Sequence, residues 1–237
     1  MERMIRTGLA DLDQAAHTPE NAPALLSQYG ELLLQKNQVM NLTAITDPHD
    51  VATLHMLDCA ALLNCVELNG KTLIDVGTGA GFPGVPLKIL VPSLEVTLLD
   101  SLNKRVDWLN ETVRILKLEQ VQAIHCRAEE AGQDPALREQ FDLAAARAVA
   151  DLRLLCELCL PFVSVGGHFL AMKGTDSDQE LNSALSAVQT LGGRLERCYD
   201  YTIPHTNVTH RVILIKKIAP TQEKYPRRWA KIQKTPL

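Results

Sequence analysis

The chain has no long uninterrupted apolar run: the stretch around residues 152–160 is broken by Arg153 and Glu157, and no membrane span is expected. Its first dozen residues carry Glu2, Arg3, Arg6 and Asp11 where a secretion signal has an apolar core. Cysteine is too sparse for a disulfide framework. Cys59, Cys65, Cys126, Cys156, Cys159 and Cys198 are spread over 237 residues, which favours a reducing, cytoplasmic setting. The one close pair, Cys156-x-x-Cys159, lacks a second pair or a histidine partner. No metal site is expected there, and two buried thiols on one helix are. A net basic charge is also missing, the formal value being -4. The signs are nevertheless segregated: from Arg211 onward eight basic residues stand against Glu223 alone, a balance of +7, and the remainder carries -11. The end of the chain is therefore either a merely solvated tail or a phosphate-seeking tail on an acidic body. What is present, 46% hydrophobic and 22% charged residues, is the composition of a globular α/β protein able to bury a core.

The organising stretch is Leu73-Ile74-Asp75-Val76-Gly77-Thr78-Gly79-Ala80-Gly81-Phe82-Pro83-Gly84. It reads as a buried parallel strand, a glycine turn and a short helix, the arrangement that holds nucleotide-like ligands at the carboxyl end of a central strand. Gly79-x-Gly81-x-x-Gly84 also matches a dinucleotide fingerprint. Against hydride chemistry stand Asp75, two residues before Gly77, and Pro83, which disrupts the usual turn into a long helix. A carboxylate at Asp75 can accept hydrogen bonds from an amine-bearing ligand, and Asp-x-Gly-x-Gly-x-Gly resembles motif I of S-adenosylmethionine-dependent methyltransferases. A purely structural glycine turn is the alternative. The next strand, Leu94 to Asp100, ends in an acid at the offset where such folds place a carboxylate on ribose hydroxyls; the alternative for Asp100 is a helix cap.

Residues 1–68 read as a helical extension, with one helix over 24–37 and a second starting at the Asp47-Pro48 cap and running to about Cys65. His55 and Asp58, three apart, can face one site or be an ordinary packing pair. Asn41-Leu42-Thr43-Ala44-Ile45 connects the two helices. Residues 69–217 read as the main domain, with strands at 72–76, 94–100, 121–126, 141–146 and 167–172 and helices at 101–118, 152–160 and 178–191. Two final strands, 194–203 and 210–216, have no helix between them. A terminal antiparallel hairpin on a mostly parallel sheet fits a methyltransferase better than a dehydrogenase. Residues 218–237 form the basic tail. Arg147, at the end of the fourth strand, can hold cofactor or RNA but stays protonated, so it is no base.

The stretches Asn41 to Ile45, His55-x-Leu57-Asp58, Ile74 to Gly84, Leu98 to Ser101, Lys104-Arg105-Val106, Arg127 to Glu130, Arg147-Ala148 and Tyr225-Pro226-Arg227-Arg228 together resemble the glucose-inhibited division B family over nearly the whole chain. The resemblance implies a Rossmann-like class I methyltransferase domain behind an N-terminal helical part. It also implies methylation of N7 of a guanine in the 530 loop of 16S rRNA, in the small ribosomal subunit or an assembly intermediate, with no membrane or protein partner. By the resemblance Gly77, Phe82, Ala128, Glu129 and Arg147 line the S-adenosylmethionine site, beside Asp75, Gly79 and Asp100. Candidates for positioning the substrate are Asn41, His55, Asp58, Arg147 and Lys173, with no catalytic base. Candidates for RNA are Lys104, Arg105, Arg211, Arg227, Arg228, Lys231 and Lys234. Cys59 stands where the family usually has serine, and Ala230 and Ile232 where it has glycine and proline. The other readings are a methyltransferase for another RNA or small molecule, and a nucleotide-sensing RNA-binding protein without catalysis.

Overall fold

The computed structural model describes residues 1–147 and 150–237; Ala148 and Val149 of the Arg147-Ala148-Val149 run lie outside the described residues. Seven strands form one sheet: β1 (Thr72–Val76), β2 (Glu95–Asp100), β3 (Val121–His125), β4 (Phe141–Arg147), β5 (Val163–Gly174), β6 (Gly193–Thr202) and β7 (Thr209–Lys217). Their order is β3-β2-β1-β4-β5-β7-β6. The first five pair in parallel, and β7 runs antiparallel between β5 and β6. Strand order reverses between β1 and β4, the point at which open α/β sheets hold their ligands, at the carboxyl ends of the strands.

Alternate residues of each strand feed opposite faces. Leu73 joins Leu98, Leu143 and Leu170 in one apolar cluster, and Ile74 and Val76 join Leu99, Ala144 and Phe169 in the other. The first face is covered by the helices Glu2–Asp11, Ala22–Met40, Gly84–Leu90 and Asn103–Ile115 and by a helical segment over residues 48–64. Leu26, Tyr29 and Leu33 are fully buried against it, each side chain worth about 1.5–3 kcal/mol of transfer free energy. The N-terminal helices thus share one core with the sheet. The second face is covered by Ala128–Ala131, Leu152–Cys159 and Asp178–Thr190, and by the end of the chain. Cys156 and Cys159 are buried there as free thiols.

Two features differ from the sequence expectation. The second helix does begin at Asp47, whose carboxylate accepts from the His49 and Asp50 N–H groups, but it is not one regular α-helix. Val51–Leu57 is a π-helix, followed by α-helical Asp58–Ala60 and 3₁₀ Ala61–Asn64. The wide turn coincides with His55, whose ring is held from two sides by tertiary contacts that local periodicity cannot register. The basic tail, in turn, is not a free arm. Tyr225 and Ile232 are buried, and Trp229–Lys234 forms a short helix on the second face. Arg138 donates to the carbonyls of Gly132, Thr221, Gln222 and Tyr225, which straps the tail down.

Candidate functional site

Asp75, in β1 just before the glycine turn, has no exposed surface. Its Oδ2 accepts from the Thr78 hydroxyl at 2.6 Å and the Gly84 N–H at 2.8 Å, while Oδ1 has no partner. A Cβ at Gly84 would sit 2.9 Å from that Oδ2 and 2.5 Å from Leu98, so only glycine lets the following helix start this close. Burial pushes the Asp75 carboxyl up to about 6 against the opposing pull of Thr78, Gly84 and Arg147. Gly77, Gly79 and Gly81 all have positive φ, and beside Gly79 an added Cβ would meet nothing nearer than a carbonyl at 3.9 Å, so the turn is open on that side.

Asp100, at the end of β2, accepts from Gly79 N–H at 2.9 Å through Oδ2 and from Leu102 N–H at 2.8 Å through Oδ1, with the Arg105 guanidinium 3.4 Å away. It ties the glycine turn to the start of the next helix. A carboxylate offers about four lone-pair sites, which leaves acceptor capacity for a ribose. Glu129, largely covered, and Ala128 sit at the beginning of the short helix after β3, with Arg127 4.0 Å from Glu129. An unpartnered buried carboxylate oxygen, an open glycine turn and a strand-end acid suit a nucleoside carrying a cationic amine.

Beside this cradle, a polar network gathers residues from four segments. The Arg147 guanidinium reaches His55 Nδ1 at 2.9 Å, Asp58 Oδ2 at 3.3 Å and the Leu54 carbonyl at 3.2 Å. Its central carbon lies 4.6 Å from the centre of the Phe82 ring, and the His55 ring stacks on Phe82 at 4.4 Å. A guanidinium only donates, so His55 Nδ1 must accept. The other nitrogen, Nε2, then carries the proton and donates to the Thr43 hydroxyl at 2.9 Å. Burial, with the charge of Arg147 beside it, lowers His55 to about 3 and keeps the ring neutral. Asp58 Oδ1 accepts from Tyr201 at 2.6 Å and from His210 at 2.8 Å. Burial alone would raise the Asp58 carboxyl, but the bonds from His210 and Tyr201 and the charge of Arg147 outweigh it and hold the group below its ordinary value.

The structure therefore brings His55, Asp58, Arg147 and Phe82 together, as the helix spacing allowed, and adds Thr43, Tyr201 and His210. Thr43 lay within a stretch already singled out. Tyr201 and His210 face each other across the β6–β7 hairpin, and only strand register reveals that they share Asp58. Lys173 stays apart from this network, donating to the Ala150 carbonyl and to Glu180, both at 2.6 Å. Asn41 closes the long helix in a left-handed conformation and lines, with Leu102, Lys104 and Arg105, a groove of about 650 Å³.

Three of the four arginines assigned to RNA are engaged elsewhere, Arg105 by Asp100 at 3.4 Å. Arg211 is held between Asp178 and Asp200, and Arg227 forks onto the buried Glu157 at 2.6 and 2.7 Å, which also accepts from the Arg227 N–H. Lys104, Arg228, Lys231 and Lys234 are exposed.

A family model described as rRNA small subunit methyltransferase G matches residues 23–209. The chain is 46% identical over 222 residues to a ribosomal RNA small subunit methyltransferase G of Alkaliphilus metalliredigens, covering 93% of each. It is 48% identical over 214 residues to the protein of that name from Alkaliphilus oremlandii, covering 90% of this chain and 89% of the relative. The fold is shared with M. jannaschii TYW2, solved in complex with AdoMet, at a TM-score of 0.53 and 15% identity over 68% of this chain and 75% of that one.

Proposed function

We propose, from the premise that this chain belongs to the rRNA small subunit methyltransferase G family, that it places a methyl group on N7 of a guanine in the 530 loop of 16S rRNA. Its cofactor is S-adenosylmethionine, which supplies an electrophilic methyl when bound. Asp75, the Gly77 to Gly81 turn, Asp100 and the Ala128–Glu129 helix start are the residues that would hold it.

The observation that carries the choice of N7 is the state of the protonatable groups around Arg147. His55 is neutral and lies far below neutrality, with its ring nitrogens engaged by Arg147 and Thr43. Asp58 is ionised and fully paired, Tyr201 is pushed up by burial and by Asp58, and His210, raised by its hydrogen bond to Asp58, spends its Nδ1–H on that carboxylate. Cys59, nearest to Arg147, is pushed up by burial in spite of that charge. Cys65 is pushed up to about 12, and Cys156, Cys159, Cys126 and Cys198 are also raised by burial. A pyrimidine carbon demands a thiolate nucleophile and a ribose hydroxyl demands a base. Guanine N7 has a free lone pair and no proton to lose, so it needs only to be bound, oriented and shielded from water.

The RNA partner is read as 16S rRNA in the small subunit or an assembly intermediate, and the protein as cytoplasmic. Among the described residues no helix is long and apolar enough to cross a membrane. The test is to incubate the protein and cofactor with undermodified small subunits and with the naked 16S rRNA, then map the new methyl group. N7 of one guanine in the 530 loop is expected, and a methyl on any other atom would contradict the reading.

A further inference from the structure

Lys224, Pro226, Arg227, Arg228, Trp229 and Ala230 of the tail face the Arg127–Gln133 segment across a groove of about 750 Å³. The tail lies beyond the residues matched by the family model, which end at 209. The groove is a built feature of the fold. Gln133 donates to the carbonyls of Glu223 and Pro226 at 3.2 and 2.9 Å, Arg138 holds the same turn, and Arg227 is locked on Glu157 below it. Ile232, fully buried, fixes the following helix from beneath.

The lining combines two chemistries. Trp229 packs on the second apolar cluster, remains half-buried and lines the groove. Around it Lys224, Arg228 and Arg127 are exposed cations, and Lys231 and Lys234 continue the positive strip along the helix. Glu129 and Glu130 are the acids on the opposite wall. An indole edged by cations matches an unpaired nucleotide, whose base has a π-face and whose backbone has a negative charge. A duplex would find no such use for a recessed ring.

Resting on the reading of the chain as an rRNA methyltransferase, we propose that the groove between Trp229 and the Arg127–Gln133 segment holds a single-stranded stretch of rRNA flanking the target guanine, with one base stacked on Trp229 and phosphates on Lys224 and Arg228. The tail is then an RNA clamp built onto the fold, bordering the cofactor cradle at Glu129.

The test is methyl transfer by the full-length protein to an undermodified 16S rRNA transcript, comparing wild type with Trp229→Leu, Trp229→Phe and Trp229→Ala. Leucine keeps apolar bulk without an aromatic face, and phenylalanine keeps the face. The expected result is a KM for RNA raised roughly five- to hundredfold in the leucine and alanine variants, the range that base–aromatic stacking gives, and largely restored by phenylalanine. Cofactor affinity by calorimetry and kcat at saturating RNA should stay within about twofold of wild type, as expected for uniform binding. Equal KM values for the leucine and phenylalanine variants would overturn the proposal, as would a loss of cofactor affinity, which would assign the groove to the cofactor. Wild-type protein that binds cofactor but transfers nothing to the transcript or to small subunits would instead remove the rRNA reading, and this inference with it.

Discussion

Asp58 on the N-terminal face and Glu157 on the tail face are both buried carboxylates closed by an arginine, Arg147 and Arg227. The Glu157 pair is a two-pronged fork with an added backbone N–H and joins two parts of the chain seventy residues apart. The Asp58 assembly is looser at its arginine, 3.3 Å, and branches to Tyr201, His210, His55 and the face of Phe82. Similar chemistry thus performs two tasks. A closed pair fastens the tail, while a branched one leaves the arginine positioned over the Phe82 ring by several partial contacts.

Breaking the closed pair should have the largest effect. Arg227→Ala leaves Glu157 buried without its counter-charge and is expected to cost about 3–5 kcal/mol of stability, the usual penalty for breaking a buried pair from one side. Urea unfolding measures it, and cofactor affinity of the folded fraction should not change. Arg147→Ala is the opposite case. Asp58 keeps Tyr201 and His210, so the expected loss of stability is smaller, about 1–3 kcal/mol, while methyl transfer should fall about a hundredfold through lost positioning. Equal stability losses in the two variants would erase the distinction.

Asp100→Ala sharpens the comparison within the cradle. It removes the brace between Gly79 and Leu102 and the proposed ribose acceptor, and should weaken cofactor binding by about 1.5–3 kcal/mol in calorimetry. Unchanged affinity would leave Asp100 as a brace alone.

A smaller effect is expected from pH. Asp75 is raised to about 6, above the unfolded value, so its neutral form favours folding at low pH, and that contribution is lost as pH rises through about 6. A cationic ligand acts in the other direction, preferring the ionised carboxylate. Cofactor affinity should therefore fall by up to about tenfold per pH unit below 6 and level off above it. Asp75→Asn should flatten this profile.

The cradle was legible in the sequence because its parts are local. The strand, the glycines and Asp75 lie in one stretch, and Asp100 follows at the spacing that a βαβ unit imposes. The hairpin was legible because no helix-forming segment separates its strands. The branched network was legible only in part. His55 and Asp58 share a helix, but Tyr201 and His210 reach Asp58 across 143 and 152 residues. The docking of the tail was hidden by its charge. Its anchors are Tyr225, Pro226 and Ile232, three apolar residues among many basic ones, and the acid that neutralises Arg227 sits in a mostly apolar helix seventy residues away. Arg211 likewise finds Asp178 and Asp200 only once β6, β7 and the preceding helix have docked.

The central claim, a methyl transfer that relies on positioning and uses no side-chain base, is tested most directly by the single-turnover rate at saturating RNA and cofactor between pH 7 and 9. His55 lies at about 3, Asp58 below its ordinary range, Asp75 at about 6, and the thiols and Tyr201 are pushed up; the hydrogen bond to Asp58 raises His210 above its ordinary value, and its Nδ1–H is spent on that carboxylate and not on a substrate. The account predicts a rate that changes by less than about twofold across that interval. A rise approaching tenfold per pH unit, the signature of a required deprotonated base, would contradict it.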